Sequence, residues 1–216
     1  MAIAHIAFDV DGTLVDTEGL LVDTLDRTLM NMMGTSFPAD VLADSCIGRT
    51  ETYTMEALGI PAEKRARLIS RWNALCQEGR DGASEVFDGT AELLDALDAR
   101  GIPHGIVTTR DAYLLDYDLG AAGLLGRFSP VVTAESTERH KPDPDPLLRY
   151  LELTGTAPEN CLYVGDTAGD RACAEAAGVA FCLATWGTGR TVDAAGARTV
   201  ASYEELLAYV DELNGR

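Results

Sequence analysis

Two aspartates one residue apart, Asp9 and Asp11, follow the apolar run Ile3 to Phe8 and precede Gly12-Thr13. A short apolar run that ends on a turn signal predicts a strand buried on both faces, as in a parallel sheet. The two acids then stand at the C-terminal end of that strand, the edge at which open α/β sheets bind ligands. Burying unpaired charge is costly, and a divalent cation compensates it. In that setting Asp9 is suited to be both metal ligand and nucleophile, and Asp11 to donate a proton. The competing reading is an ordinary Asp-Gly turn. The full D-x-D-G-T pattern directly after a hydrophobic strand favours chemistry.

Three further segments place reactive side chains at the ends of apolar runs or in a turn. Ile102 to Val107 leads into Thr108, Thr109 and Arg110. A threonine hydroxyl can donate to a phosphoryl oxygen, although threonine is also an ordinary strand residue. His140-Lys141-Pro142-Asp143-Pro144 holds one of only two lysines, the other being Lys64, among 17 basic residues. In so arginine-rich a chain, lysine here suggests a need for a compact ammonium rather than a planar fork. The plain alternative is a solvated charge in a proline-rich turn. Cys161 to Val164 leads into Gly165-Asp166, with Asp170 four residues further on. That spacing puts both acids near one face of the loop and first helical turn, and hard oxygen ligands suit Mg²⁺. Asp170 is equally suited to capping the helix, a role compatible with metal binding.

In order and residue type these segments resemble the four motifs of the haloacid dehalogenase-like superfamily of phosphohydrolases. The resemblance spans most of the chain. It implies a Rossmann-like core with Asp9 as nucleophile, Asp11 as general acid and base, and Thr108 and Lys141 completing the catalytic set. Gly12, Thr13 and Thr109 would contact the substrate's phosphoryl group. Mg²⁺ would be held by Asp9, the Asp11 carbonyl, Asp166 and Asp170, with one of the last two acting through water.

The elements that must position these residues fall into two sets. Residues 16–83 read as helices. Leu21, Leu25, Leu29 and Met33 form one apolar stripe, Pro61 opens another helix, and Leu68, Trp72, Leu75 and Cys76 share a face. The rest alternates strand-like runs (102–108, 129–133, 161–165, 179–184, 198–200) with helices near 89–100, 111–120, 144–154, 169–177 and 202–213. Alternation of this kind means an α/β fold with a parallel sheet. Gly101, Gly155 and Gly178 mark helix ends. The expected organisation is a catalytic core of residues 1–15 and 84–216 with an inserted helical cap of residues 16–83. Hinges are expected at 14–17 and 83–89. Within the cap, Cys46-Ile47-Gly48-Arg49-Thr50 resembles the specificity loop of phosphoglycolate phosphatase-like members, which makes Arg49 a candidate contact for an anionic substrate group. A solvated arginine at a helix start is the alternative.

A net charge of −18 argues against a nucleic-acid partner, whose phosphates demand basic surface. It also repels a phosphate ester at long range, so the site must be positive locally. No apolar stretch approaches the roughly 20 residues of a membrane span, and the N-terminus lacks the basic region of a signal peptide. Five cysteines without C-x-x-C spacing fit a reduced, cytoplasmic protein.

An acid at position 11 suits a leaving group that needs a proton, so the expected reaction is hydrolysis of a small phosphate monoester. Relatives that cleave C–P bonds carry a cap lysine; Lys64 is the sole cap lysine and lies in a surface-like run. Sugar phosphomutases of the β-phosphoglucomutase kind carry a histidine soon after the segment matching Asp16-Thr17-Glu18. Here Leu20 and Leu21 follow, and the three histidines (His5, His104, His140) lie outside the cap. His140, beside Lys141, is a weaker candidate for lining the site. A non-catalytic binding module is a further alternative, opposed by the completeness of the acid and lysine set. Neither the particular metabolite nor the oligomeric state follows from the sequence.

Overall fold

The computed structural model describes residues 2–79, 86–187 and 196–216. Six parallel strands form one sheet: β1 (His5–Phe8), β2 (His104–Val107), β3 (Val131–Val132), β4 (Cys161–Gly165), β5 (Ala180–Ala184) and β6 (Arg198–Val200). Their order is β3-β2-β1-β4-β5-β6. Chain direction across the sheet therefore reverses between β1 and β4, and open sheets bind ligands outside the carboxyl ends at such a switch point. Phe8 pairs in register with Ile106 on one side and Val164 on the other. That register sets Asp9, Thr108 and Asp166 side by side at one edge.

Alternation of side chains along the strands supplies two cores. Ile6, Phe8, Ile106, Leu162 and Val164 face one way, against Leu93, Leu94, Leu206 and Val210 of α5 (Thr90–Ala99) and α9 (Tyr203–Leu213). Ala7, Val107 and Tyr163 face the other, against α7 (Asp145–Thr154) and α8 (Ala168–Ala177). The result is a Rossmann-like α/β sheet covered on both faces, as the alternating pattern predicts.

Between β1 and α5 the chain forms α1 (Glu18–Met33), α2 (Ala39–Cys46), α3 (Glu51–Ala57) and α4 (Ala62–Gly79). These helices share a core of their own, centred on Leu25, Leu29, Leu42, Met55, Leu68 and Trp72. Leu21 and Met33, the ends of the expected stripe, are only partly buried. Pro61 lies just ahead of the first helical residue of α4 rather than on it. Where the chain leaves the sheet and returns to it the two crossings pair: Val15 bridges Val86, and the Phe87 N–H donates to the Leu14 carbonyl at 3.0 Å. Of the expected second hinge, residues 83–85 fall outside the described residues.

Two further differences from the expected elements have local causes. β3 shrinks to two residues because Pro130 has no N–H to give the ladder and Thr133 already starts a helical turn. The helix expected over 111–120 is α-helical only at α6 (Ala112–Leu115). It then widens into a π-helical turn, Asp116–Gly120, which turns Asp118 and Leu119 inward. Gly101, Gly155 and Gly178 adopt left-handed φ of 67°, 65° and 72°, the conformation expected of glycines that end helices. No helix among the described residues is long and apolar enough to cross a membrane.

Candidate active site

Four loops at the carboxyl edge of the sheet converge on one buried ammonium. Lys141 Nζ lies 2.8 Å from Asp9 Oδ1 and 2.6 Å from Asp170 Oδ1, and none of its side chain is exposed. It also donates to the Tyr163 hydroxyl at 3.1 Å. Asp170 accepts from every side: Lys141 and Tyr163 at Oδ1, and both the N–H and the hydroxyl of Thr167 at Oδ2. Thr167 and Asp170 form a reciprocal capping box at the start of α8. Burial works against a charged Asp170, but Lys141 and these hydrogen bonds outweigh it and hold its carboxyl below the usual range. Burial likewise works against a charged Lys141, and Asp170 and Asp9 reverse the balance, so the lysine stays protonated.

Asp9 and Asp166 are in the opposite condition. Asp9 Oδ2 and Asp166 Oδ2 are buried and have no hydrogen-bond partner. Burial first, and repulsion from Asp170 second, push Asp9 up to about 7 despite Lys141. The same two causes, with Asp9 added, push Asp166 well above the usual range. Oxygens of Asp9, Asp166 and Asp170 lie within 4.8 Å of one another. Orphaned carboxylate oxygens within one acidic cluster are the donor set a hard divalent cation takes, so such a cation fits these residues. Asp170 belongs to the cluster, but its oxygens are already engaged by Lys141, Tyr163 and Thr167.

Glycine is required at the turn after β1. Gly12 has φ +73°, and a Cβ there would sit 2.2 Å from Asp166 Oδ2. Gly187 presses in behind it; a Cβ at 187 would sit 2.1 Å from the Gly12 carbonyl. Trp186 Nε1 donates to the Thr13 carbonyl at 2.9 Å.

Thr13 was expected to meet substrate, but its hydroxyl points to Asp166 Oδ1 at 3.4 Å. The N–H groups of Gly12 and Thr13 are taken by the carbonyls of Val15 and Val10. Among the described residues, the N–H groups of Val10 and Asp11 are the two in this turn without an acceptor. Thr108 accepts the Arg110 N–H at its hydroxyl oxygen, 3.2 Å away, which leaves the hydroxyl proton free to donate elsewhere.

Asp11 is held from two directions. Thr17 donates to Oδ1 at 2.6 Å, and Arg110 Nε lies 3.5 Å from Oδ2. Arg110 also donates to Asp118 Oδ2 at 2.6 Å, and both side chains are almost wholly buried.

The helical insertion closes over this edge. Gly48 (φ +66°) seats on Thr167; a Cβ at 48 would lie 2.8 Å from its methyl carbon. Arg49 stacks on the Tyr53 ring at 4.9 Å from its centroid. Between insertion and sheet lies a cavity of about 40 Å³, walled by Asp11, Arg49, Trp72, Thr109 and Arg110 among others. A larger groove of about 630 Å³ between α1 and α2 contains none of the expected site residues. His140 is half-buried and does not line the cavity, and Lys64 is exposed.

Sequence reasoning missed Thr17, Arg110, Asp118, Tyr163 and Thr167 as members of the site. Thr167 carried a readable signal, a threonine three residues before Asp170, which is the pattern of a capping box. Arg110 stood inside a quoted motif without a role. Nothing in sequence spacing pointed to Asp118 or Tyr163.

The switch-point sheet and the acid–lysine centre define an α/β hydrolase built for phosphoryl groups. Residues 6–184 match the model of the haloacid dehalogenase-like hydrolase family. The phosphoglycolate phosphatase of Shigella boydii is 32% identical over 209 residues, covering 86% of this chain and 82% of that protein. Pyrophosphatase PpaX of Bacillus velezensis is 32% identical over 208 residues, covering 94% and 89%. A crystal structure of a hydrolase from Pseudomonas syringae shares the fold, with a TM-score of 0.85 at 24% identity over 97% of this chain and 98% of that one. The chain belongs to the haloacid dehalogenase-like hydrolase family and is a phosphatase.

Proposed function

We propose that the chain is a Mg²⁺-dependent phosphatase that hydrolyses a small phosphate monoester through an aspartyl phosphate on Asp9. The observation that carries this reading is the pair of orphaned oxygens, Asp9 Oδ2 and Asp166 Oδ2, beside the buried Lys141 ammonium. Mg²⁺ held by Asp9, the Asp11 carbonyl and Asp166 supplies the positive charge that lets a carboxylate approach a dianionic phosphoryl group. The need is large: at ~4 Å and an effective dielectric near 20, each like-charge pair costs roughly 4 kcal/mol.

The chain's own groups do the rest. The Asp9 carboxylate bonds to phosphorus while the ester P–O bond breaks, and Asp11 gives its proton to the leaving oxygen. Lys141 orients Asp9 and adds charge. Thr108 and the free N–H groups of Val10 and Asp11 hold the equatorial oxygens, so these two amides take the part expected of Gly12 and Thr13. Thr13 instead steadies Asp166, and Asp170 fixes Lys141. Asp11 then takes a proton from water as its oxygen attacks phosphorus and Asp9 departs as carboxylate.

Residues 16–83 act as a cap domain over a core of residues 1–15 and 84–216, hinged at the Val15–Val86 pairing. A cavity of about 40 Å³ holds little more than a water, so substrate enters with the cap raised and is enclosed when it closes. Arg49 meets an anionic group at the non-reacting end of the substrate. Phosphoglycolate, acted on by the Shigella relative, has such a group. Leu21, an apolar wall of the cavity in a cap without histidine, argues against a sugar phosphomutase. Five buried cysteines, none of them in a disulfide, support a reducing, cytoplasmic setting.

The test is phosphate release from a panel of small esters, phosphoglycolate and pyrophosphate included, with and without Mg²⁺. Asp9→Asn should abolish turnover and leave the fold intact. A variant that kept most of its rate, with deamidation excluded, refutes the covalent route.

A further inference from the structure

The Arg110–Asp118 pair has no part in the mechanism so far, yet among the described residues it is the one buried ion pair that reaches Asp11. Arg110 extends from the loop after β2 with 5% of its side chain exposed, and Asp118 comes from the π-helical turn with 1% exposed. π-Helical turns are rare and gather at functional sites, because the extra residue re-aims side chains. Here the widened turn points Asp118 at Arg110, and a single strong hydrogen bond fixes the guanidinium. Arg110 then stands 3.5 Å from Asp11 Oδ2, on the side opposite Thr17.

The two restraints on Asp11 differ in kind. Thr17 belongs to the linker into the cap and moves with it. Arg110 and Asp118 belong to elements packed on the sheet and stay when the cap lifts. We propose that Arg110, braced by Asp118, is a positioning residue that holds the Asp11 carboxylate toward the incoming water during breakdown of the aspartyl phosphate. In that step water oxygen bonds to phosphorus, its proton passes to Asp11, and the Asp9–phosphorus bond breaks with its electron pair returning to the Asp9 carboxylate. A carboxylate that loses its place is lost to both half-reactions, but a leaving group that needs little protonation does not call on it in the first. With such a substrate, loss of the pair slows the second half-reaction more than the first. The inference rests on the aspartyl-phosphate reading above.

Removing Arg110 alone takes from the buried Asp118 its close ion-pair partner, a change that destabilises a protein strongly. Replacing both members by apolar groups is often neutral. The variant to use is therefore Arg110→Met with Asp118→Leu. The substrate is a p-nitrophenyl phosphate, whose leaving group needs little protonation, and the reaction is followed through the first turnover in saturating Mg²⁺. The expected result is a burst of about one nitrophenol per enzyme, a later steady rate at least tenfold below wild type, and acid-trapped phosphoenzyme by intact mass. Asp11→Ala, which lacks the base altogether, is the reference and should trap the same species. If Asp11→Ala traps phosphoenzyme and the double variant does not, or if burst and steady rate fall together, the role assigned to Arg110 is wrong. If neither variant traps it, the aspartyl-phosphate reading itself fails.

Discussion

Substituting Lys141 by Met tests the electrostatic design of the site directly. Methionine keeps most of the volume of the buried stem and removes the charge. Among the described residues, the ammonium is the sole cation within 3 Å of both Asp9 and Asp170, and it is fully buried. Breaking a buried ion pair by deleting one partner costs about 3–5 kcal/mol, because the other charge stays desolvated. For a chain of this size each kcal/mol moves Tm by roughly 2–4 °C, so the metal-free variant should melt roughly 6–20 °C lower. The loss should be smaller at pH 5 than at pH 8. Asp9 already sits at about 7 with Lys141 present, so at pH 5 it escapes the penalty by holding a proton. Adding Asp170→Asn to Lys141→Met should recover part of the loss at pH 8. Saturating Mg²⁺ should recover more, since a ligand at 100 times its Kd contributes about 2.7 kcal/mol. Thermal and urea unfolding in chelator and in Mg²⁺, at both pH values, give all the terms. A metal-free loss below about 1 kcal/mol at pH 8 would show that Asp9 and Asp170 do not depend on Lys141 for their burial.

Three other outcomes follow from particular distances and charges. Burial pushes Asp9 up to about 7 from an ordinary carboxylate value near 3.8, so between these values the folded state binds more protons than the unfolded one. Its contribution is present below about pH 4 and is lost as pH rises through 7; metal-free stability should fall over that window, less steeply in Asp9→Asn. Mg²⁺ affinity by calorimetry should rise with pH through about 7, and a flat profile contradicts this. Gly48→Ala places a Cβ in left-handed backbone, worth about 1–2 kcal/mol, and 2.8 Å from Thr167, so kcat/KM should drop about tenfold or more as closure is blocked; unchanged kinetics would show that this turn does not seat during turnover. Arg49→Ala should lower kcat/KM for a substrate with a second anionic group and barely change it for an aryl phosphate, with Arg49→Lys restoring little. Equal losses on both substrates would assign Arg49 to cap folding.

The chemistry at the ends of β1 and β4 was legible because each motif is contiguous. A hydrophobic strand, a sharp turn and an acid are local properties, and pattern alone places the acid at the strand end. Helical and strand periods likewise separated the insertion from the sheet, and the three helix-ending glycines were readable because left-handed backbone is a single-residue requirement. Tertiary structure decided everything that depends on which oxygen faces which donor. Folding of the loop before α7 put Lys141 between Asp9 and Asp170 and left Asp9 Oδ2 and Asp166 Oδ2 buried without a hydrogen-bond partner. Closure of the turn after Asp11 consumed the Gly12 and Thr13 amides and left those of Val10 and Asp11 free. The π-helical turn aimed Asp118 at Arg110, eight residues away, where a regular helix was expected. Spacing along a chain determines direction and period; pairing of buried charges is set by contacts between segments distant in sequence, and only the folded chain makes them.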